Sequence, residues 1–304
     1  MSKPILVLGA TGKQGGALIT ALLASPKASS YLLLAVTRNA TSPTAQKLAA
    51  KHGVKLVQGD MNDIPALFEA AKEVAGAPLW GVFSVQVSNG TGSELEEAYG
   101  KGLVDAALDS SVKMFVYTSV ERGGEEKSWE NATEIRHFVT KYNIEHYLRD
   151  KAGETMQWAI LRPTAFMDNW NVGFLPRIFA AIWKLENPTK PLQLICSKDI
   201  GIFASLVFLE PDKFNHKAIG LAGDELSYPE FCEVYKSKTG QDLPEGYGFM
   251  ARGVLFMLSE VKVMFQWFKT DGYKADIPAL KEMHPGLLTW GEWVEKESDH
   301  ETKK

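Results

Sequence analysis

The chain is poor in cysteine. Its 304 residues hold only Cys196 and Cys232, without the spacing of a disulfide framework or a metal site, so no metal is expected and a reducing compartment fits. Charge of one sign is also lacking. Lys and Arg number 33 against 37 Asp and Glu, a formal net charge of −4, which argues against direct nucleic-acid binding and against an anionic membrane surface. The most apolar run, Phe249 to Phe268, is interrupted by Arg252, Glu260, Lys262 and Gln266. Those residues are costly at a bilayer centre, so the run reads as a buried helix. Met1-Ser2-Lys3-Pro4 passes straight into an apolar strand, so no secretory leader is expected and the cytoplasm is the expected compartment. Repeats are absent. The charged end, Glu295 to Lys304, is expected to be solvated and frayed.

Glycine is abundant where it matters. The run Gly9-Ala10-Thr11-Gly12-Lys13-Gln14-Gly15 follows the apolar stretch Pro4 to Leu8 and precedes the helical pattern Ala17 to Leu23. Strand, glycine turn and helix start together make a phosphate cradle. The first glycine permits the turn, the second lets backbone approach a pyrophosphate, and the third lets helix pack on strand. Helix N-terminal amides and the helix dipole then face the anion. A second strand, Tyr31 to Val36, ends in Thr37-Arg38-Asn39. An acid here, roughly 20 residues past the glycines, would read the ribose 2′-hydroxyl of NAD. Arg38 instead offers a guanidinium to a 2′-phosphate, so NADP(H) is expected over NAD(H). Lys13 adds charge near the phosphates.

Further strands are expected at Val54–Val57, Leu79–Phe83, Val112–Tyr117 and Trp158–Arg162. Helices are expected from Asp63, an N-cap ahead of Pro65, to about Val74, from Ser93 to Asp109, and from about Asn131 to Asp150. This alternation implies an α/β fold, a doubly wound parallel sheet, over residues 1–165, with ligands at the carboxyl ends of the strands. Beside the glycine loop and Arg38, that rule selects Asp60 and Met61, Ser84, Val85 and Gln86, Ser119, and Pro163 with Phe166. After residue 165 the alternation weakens, and residues 166–304 read as a smaller lobe for substrate or partner.

For chemistry the candidates are Ser119, His137 and Lys141. His137 and Lys141 lie four apart, on one helical face. A lysine here can hydrogen-bond a nicotinamide ribose and lower a neighbouring acid's pKa. A serine can orient a carbonyl, and an imidazole can exchange a proton near neutral pH. Many short-chain dehydrogenases carry a tyrosine four residues before the lysine, where this chain has His137. Plainer roles stand beside these: Lys141 paired with Glu145 on its own helix, His137 as an ordinary half-exposed residue, Ser119 as a turn.

These residues together resemble the NmrA-like group of atypical short-chain dehydrogenases/reductases. The likeness rests on the glycine loop, Thr37-Arg38-Asn39, Gln58-Gly59-Asp60, the Gly100-Lys101 helix, Tyr117-Thr118-Ser119, the His137 to Lys141 spacing and Arg162 to Phe166. It continues through Phe174-Leu175-Pro176, Leu221 to Glu225 and Ala275 to Trp290, the last segments being similar to fungal members. The resemblance implies a Rossmann core, a smaller α/β C-terminal lobe and bound NADP(H). It implies either a reductase, with secondary metabolism one setting, or a non-catalytic redox sensor that binds a regulatory protein, the one reading that leaves a nuclear location open beside the cytoplasm. The missing tyrosine fits a sensor, or chemistry that needs hydride but little acid catalysis; a cyclisation of an imine beside bound NADPH is a third reading. Phe166, Trp170, Phe174, Met257 and Trp267 are candidates to line a roomy pocket for an apolar small molecule, with core packing the plainer role of any one of them.

Overall fold

The computed structural model describes residues 2–86 and 93–303. Alternation begins at once: β1 (Lys3–Val7), α1 (Lys13–Ala24), β2 (Tyr31–Thr37), α2 (Pro43–Ala49), β3 (Val54–Gln58), α3 (Ile64–Ala75), β4 (Gly81–Ser84), α4 (Ser93–Asp109) and β5 (Met114–Thr118). Then come α5 (Glu125–Glu130), α6 (Arg136–Ala152), β6 (Gln157–Pro163), β7 (Ala165–Phe166), α7 (Phe174–Glu186), β8 (Leu192–Ile195), α8 (Ser197–Leu209), α9 (Pro211–Phe214), β9 (Lys217–Leu221) and β10 (Asp224–Leu226). The chain closes with α10 (Tyr228–Thr239), α11 (Gly248–Met257), α12 (Ser259–Thr270), α13 (Ile277–Met283) and α14 (Trp290–Lys296).

Seven strands pair in the order β3-β2-β1-β4-β5-β6-β9. The pairs joining the first six run parallel. Parallel strands buried on both faces need unbroken apolar runs, which is what Tyr31–Val36 and Met114–Tyr117 supply. The order turns back at β1: the chain steps outward through β2 and β3, then returns to place β4 on the other side. Such a reversal opens a crevice at the carboxyl ends of β1 and β4. Local signals fix the element ends. Asp63 accepts from Ala66 N at 3.0 Å, Pro65 sits in the first turn of α3, and Gly76 ends that helix at φ 67°.

The chain forms two compact units. The first comprises Met1–Val120, Val139–Arg162 and Lys198–Ile219; the second comprises Glu121–Phe138, Pro163–Ser197 and Gly220–Lys304. The chain thus passes between them several times, where the sequence pattern marks a single boundary at 165. The first unit's core is aliphatic with some phenylalanine: Ile5, Leu6, Leu33, Leu34, Val82, Phe83, Phe115 and Ile160 are fully buried. The second holds a three-stranded sheet, β10-β8-β7, and a core of rings. Phe231 stacks on Trp290 with centroids 4.0 Å apart, and Trp293 stacks on the same indole at 5.2 Å.

Three expectations change. The helix expected from Asn131 to Asp150 starts later, at Arg136, and α5 precedes it. The apolar run from Phe249 is two helices, broken where Leu258 leaves helical geometry (φ −113°, ψ 85°), and α11 is not buried. Phe256 is 91 % and Met257 80 % exposed. Apart from Arg252 the helix is apolar all round, and only Ala251 is fully covered. The charged tail is docked, not frayed. His300 Nε2 donates to the Trp170 carbonyl at 2.9 Å, Asp299 N donates to Asn171 Oδ1 at 2.8 Å, and Lys303 N donates to Lys238 O at 2.9 Å. Backbone and imidazole donors find fixed acceptors there despite the charged composition. No helix among the described residues is long and apolar enough to cross a membrane.

Candidate functional site

The glycine loop of the first unit is shaped by close backbone approach. Gly9 has φ 62°, a left-handed conformation that favours glycine. Gly12 N donates to Gly9 O at 2.9 Å and closes the turn. A Cβ on Gly15 would lie 2.5 Å from Gly9 O and 2.9 Å from Ala10 Cα, so only glycine lets α1 start there. The helix begins with no side-chain cap on Gly12 and no acid in its first turn. Its positive end is therefore left for an outside anion. Thr11, Gly12 and Lys13 are exposed around it, and Gln14 is half-buried. Gly201 of α8 packs against this turn, where a Cβ would meet Ala17 Cβ at 2.5 Å and Gln14 O at 2.6 Å.

The neighbouring strand ends converge on the same edge. Val85 touches the glycine turn: its Cγ1 lies 2.8 Å from where a Gly9 Cβ would be. Ser84 Oγ accepts from Gln86 Nε2 at 2.7 Å, both side chains being buried. At the end of β2, Arg38 is exposed, and Gly59 N donates to Thr37 O at 3.0 Å, which sets the end of β3 beside it. Asp60 caps its own short turn, accepting from Asn62 N at 2.8 Å, with Met61 half-buried next to it. Ser119 N donates to Leu161 O at 2.7 Å and ties the end of β5 to β6. Buried side-chain oxygens of this unit with no hydrogen-bond partner among the described residues include Gln14 Oε1, Gln86 Oε1, Glu96 Oε2, Thr118 Oγ1 and Ser119 Oγ. Buried polar atoms are rarely left so; Gln86, Thr118 and Ser119 lie at strand ends, Gln14 and Glu96 at helix starts.

Lys141, on α6, is paired with Glu96 of α4 rather than with Glu145. Glu145 is taken by Arg162, whose Nη2 lies 2.8 Å from its Oε2 in a fully buried pair. The two helices meet closely, since a Cβ on Gly100 would strike Ile144. Asn143 Nδ2 donates to Glu97 Oε2 at 2.8 Å and Tyr147 Oη to Asp105 Oδ1 at 2.7 Å along the same seam.

His137, at the start of α6, belongs to the second unit. Its Nδ1 is 2.6 Å from Glu260 Oε1 on α12, and its backbone N also donates to that oxygen at 3.3 Å. Partial burial pushes the Glu260 carboxyl up, but the hydrogen bonds from His137, with Arg136 nearby, outweigh it and hold the group below its ordinary value. Of the remaining candidates, Pro163 is buried and Phe166 half-buried. Trp170 is buried against Trp183 and Phe231, each with centroids 5.5 Å away. Trp267 is buried against Phe138 at 5.4 Å and Tyr273 at 5.2 Å. These two fill the core of their unit. Phe174 and Met257 face outward, 61 % and 80 % exposed. The recess beside Trp170, lined by Val172, Arg177, Leu243 and His300 among others, holds about 40 Å³, too little for a metabolite.

Glu96, Thr118 and Glu260 did not stand out in the sequence. Glu96 sits in an acidic helix start, where acids complement the dipole anyway. Glu260 reads in the sequence only as a charge within an apolar run. Among the described residues no cluster of three or more His, Cys, Asp or Glu could hold a metal ion.

Known proteins share this architecture. The structure of NmrA, a negative transcriptional regulator, in complex with NADP superposes with a TM-score of 0.70 at 18 % identity, covering 97 % of this chain and 95 % of that one. The Citrobacter sp. triphenylmethane reductase complexed with NADP(H) does so at 0.71 and 18 %, covering 97 % and 99 %. In sequence, the NmrA-like family domain-containing oxidoreductase FrzB of a Cladobotryum species is 25 % identical over 91 % of this chain and 87 % of its own. A relative of the same description from Aspergillus hancockii is 25 % identical over 88 % and 83 %. The family model itself matches residues 1–293, through both units, and the chain belongs to the NmrA-like family.

Proposed function

We propose that this chain binds NADP(H) and works as a reductase of an apolar small molecule, aromatic or nitrogen-containing. The observation that carries the reading is the glycine cradle: a turn in which Gly15 admits no Cβ, opening an uncapped helix whose first turn has no acid. Backbone amides there suit a pyrophosphate. Arg38, exposed at the end of β2, would take the 2′-phosphate, with Gly9, Thr11, Lys13, Gln14 and Val85 around the phosphates. Ser84, Gln86, Thr118 and Ser119 carry buried oxygens suited to the rest of the cofactor. When bound, the reduced cofactor supplies hydride. Lys141 would hold the ribose hydroxyls. Ser119 would orient the acceptor. The lack of a tyrosine at position 137 favours acceptors that need little acid assistance, such as conjugated or cationic ones.

The test is cofactor oxidation, followed by the absorbance of reduced nicotinamide, over a panel of quinones, enones, aldehydes and cyclic imines. Turnover with one class is the expected result and names the acceptor. Tight NADPH binding without oxidation supports a second reading, a sensor whose partner is a regulatory protein. The observation that favours that reading is the outward face of α11, where Phe249, Phe256 and Met257 are exposed around Arg252. The fitting partner surface is apolar with a carboxylate against that guanidinium. Product formed without net oxidation supports cyclisation of an imine.

A further inference from the structure

The Glu96–Lys141 pair is too deeply placed for an ordinary helix pin. The Glu96 side chain is 1 % exposed and that of Lys141 14 %. The ammonium engages Oε1, while Oε2 is buried with no hydrogen-bond partner among the described residues. A charge pair withdrawn from water costs several kcal/mol per ion unless the remaining lone pairs are satisfied. Joining α4 to α6 does not require it, because Asn143 with Glu97 and Tyr147 with Asp105 already bridge the same seam where water helps. An idle carboxylate oxygen beside a fixed ammonium is instead a matched acceptor and donor. A vicinal diol uses both: one hydroxyl oxygen accepts from the ammonium and one O–H donates to the carboxylate.

We propose that Glu96 is the positioning residue for Lys141 and a direct acceptor for the ribose diol on the nicotinamide side of the cofactor. This rests on the NADP(H) reading above. Glu96 keeps the Lys141 side chain in one place, so that its N–H donors face the diol. The carboxylate charge, not the bulk of the side chain, is what the site needs.

The test compares NADPH with adenosine 2′,5′-bisphosphate, which carries the phosphate-bearing adenosine but no nicotinamide ribose. Both are titrated calorimetrically into the wild type, Glu96→Gln, Lys141→Met and the Glu96→Gln/Lys141→Met double variant. The expected result is about a tenfold or greater loss of NADPH affinity in Glu96→Gln, with bisphosphate affinity within about twofold of wild type. Unchanged NADPH affinity, or equal losses for both ligands, overturns the proposal. If Glu96→Gln does not fold because it strands the ammonium, the double variant, which buries no charge there, decides. Wild-type NADPH affinity in it overturns the proposal; a selective loss of NADPH larger than that of Lys141→Met alone supports it, and a loss no larger than that overturns it. Wild-type protein that binds neither ligand overturns the NADP(H) reading itself, and this proposal with it.

Discussion

In the first unit, Gln14, Gln86, Glu96, Thr118 and Ser119 each bury a side-chain oxygen with no partner among the described residues, and they lie at helix starts and strand ends. In the second, the comparable atoms include the indole nitrogens of Trp170, Trp183 and Trp293, which sit inside a stack of rings. The same shortfall has two meanings. An indole N–H among aromatic faces forgoes one weak bond and is offset by ring packing. Amide, hydroxyl and carboxylate oxygens have no such compensation from an aliphatic core, so their arrangement makes sense with a ligand. The second unit's indoles belong to its ring packing, whereas the first unit's polar oxygens are the ones a ligand would satisfy.

That contrast can be tested by substitution. The largest effect is expected for Trp183→Ala, which removes a fully buried indole and should cost about 3–5 kcal/mol in urea denaturation, while the folded fraction keeps its bisphosphate affinity. A loss of that affinity would mean the ring stack is not merely structural. Gly15→Ala should cost about 1–3 kcal/mol because its Cβ strikes backbone, and should also weaken NADPH; normal binding would misplace the cradle. Arg38→Ala should be nearly neutral for stability but weaken NADPH about 10- to 100-fold while leaving NADH almost unchanged. Equal losses would remove the 2′-phosphate assignment.

The smallest effect is expected at Glu260. Its pKa is lowered in the folded protein, so its pairing with His137 stabilises above the unfolded carboxylate value and is lost as pH falls through the folded one. Glu260→Gln should therefore be less stable than wild type near neutrality by about 0.5 kcal/mol, as partly exposed pairs usually are. The gap should close below the carboxylate range. Melting curves at several pH values check this, and a gap that widens on acidification would contradict the assignment.

Much of the first unit could be read in advance because its signals are local. Asp63 ahead of Pro65 announces the start of α3, and Gly9, Gly12 and Gly15 announce the turn, since each places a demand on its own backbone. The place of Arg38 directly after β2 was legible because the apolar run Tyr31–Val36 marks where that strand ends. Glu96 was not, because its partner lies on another helix and helical periodicity says which face a residue occupies, not whom it meets there. The outward turn of α11 was hidden for a related reason: a helix apolar on every side gives no preferred face. The docked tail escaped because its anchors, Asn171, Trp170 and Lys238, are remote in sequence.

The sequence by itself determined the parallel alternation, the glycine cradle, the cation at the end of β2 and the family pattern, because each is written in contiguous residues obeying local sterics. Only the tertiary structure decided that Lys141 pairs with Glu96 and Glu145 with Arg162, that His137 meets Glu260, and that Trp170 and Trp267 serve the core. Burial and charge pairing are properties of surfaces brought together from distant segments, and competition among several possible partners is resolved only where those surfaces meet.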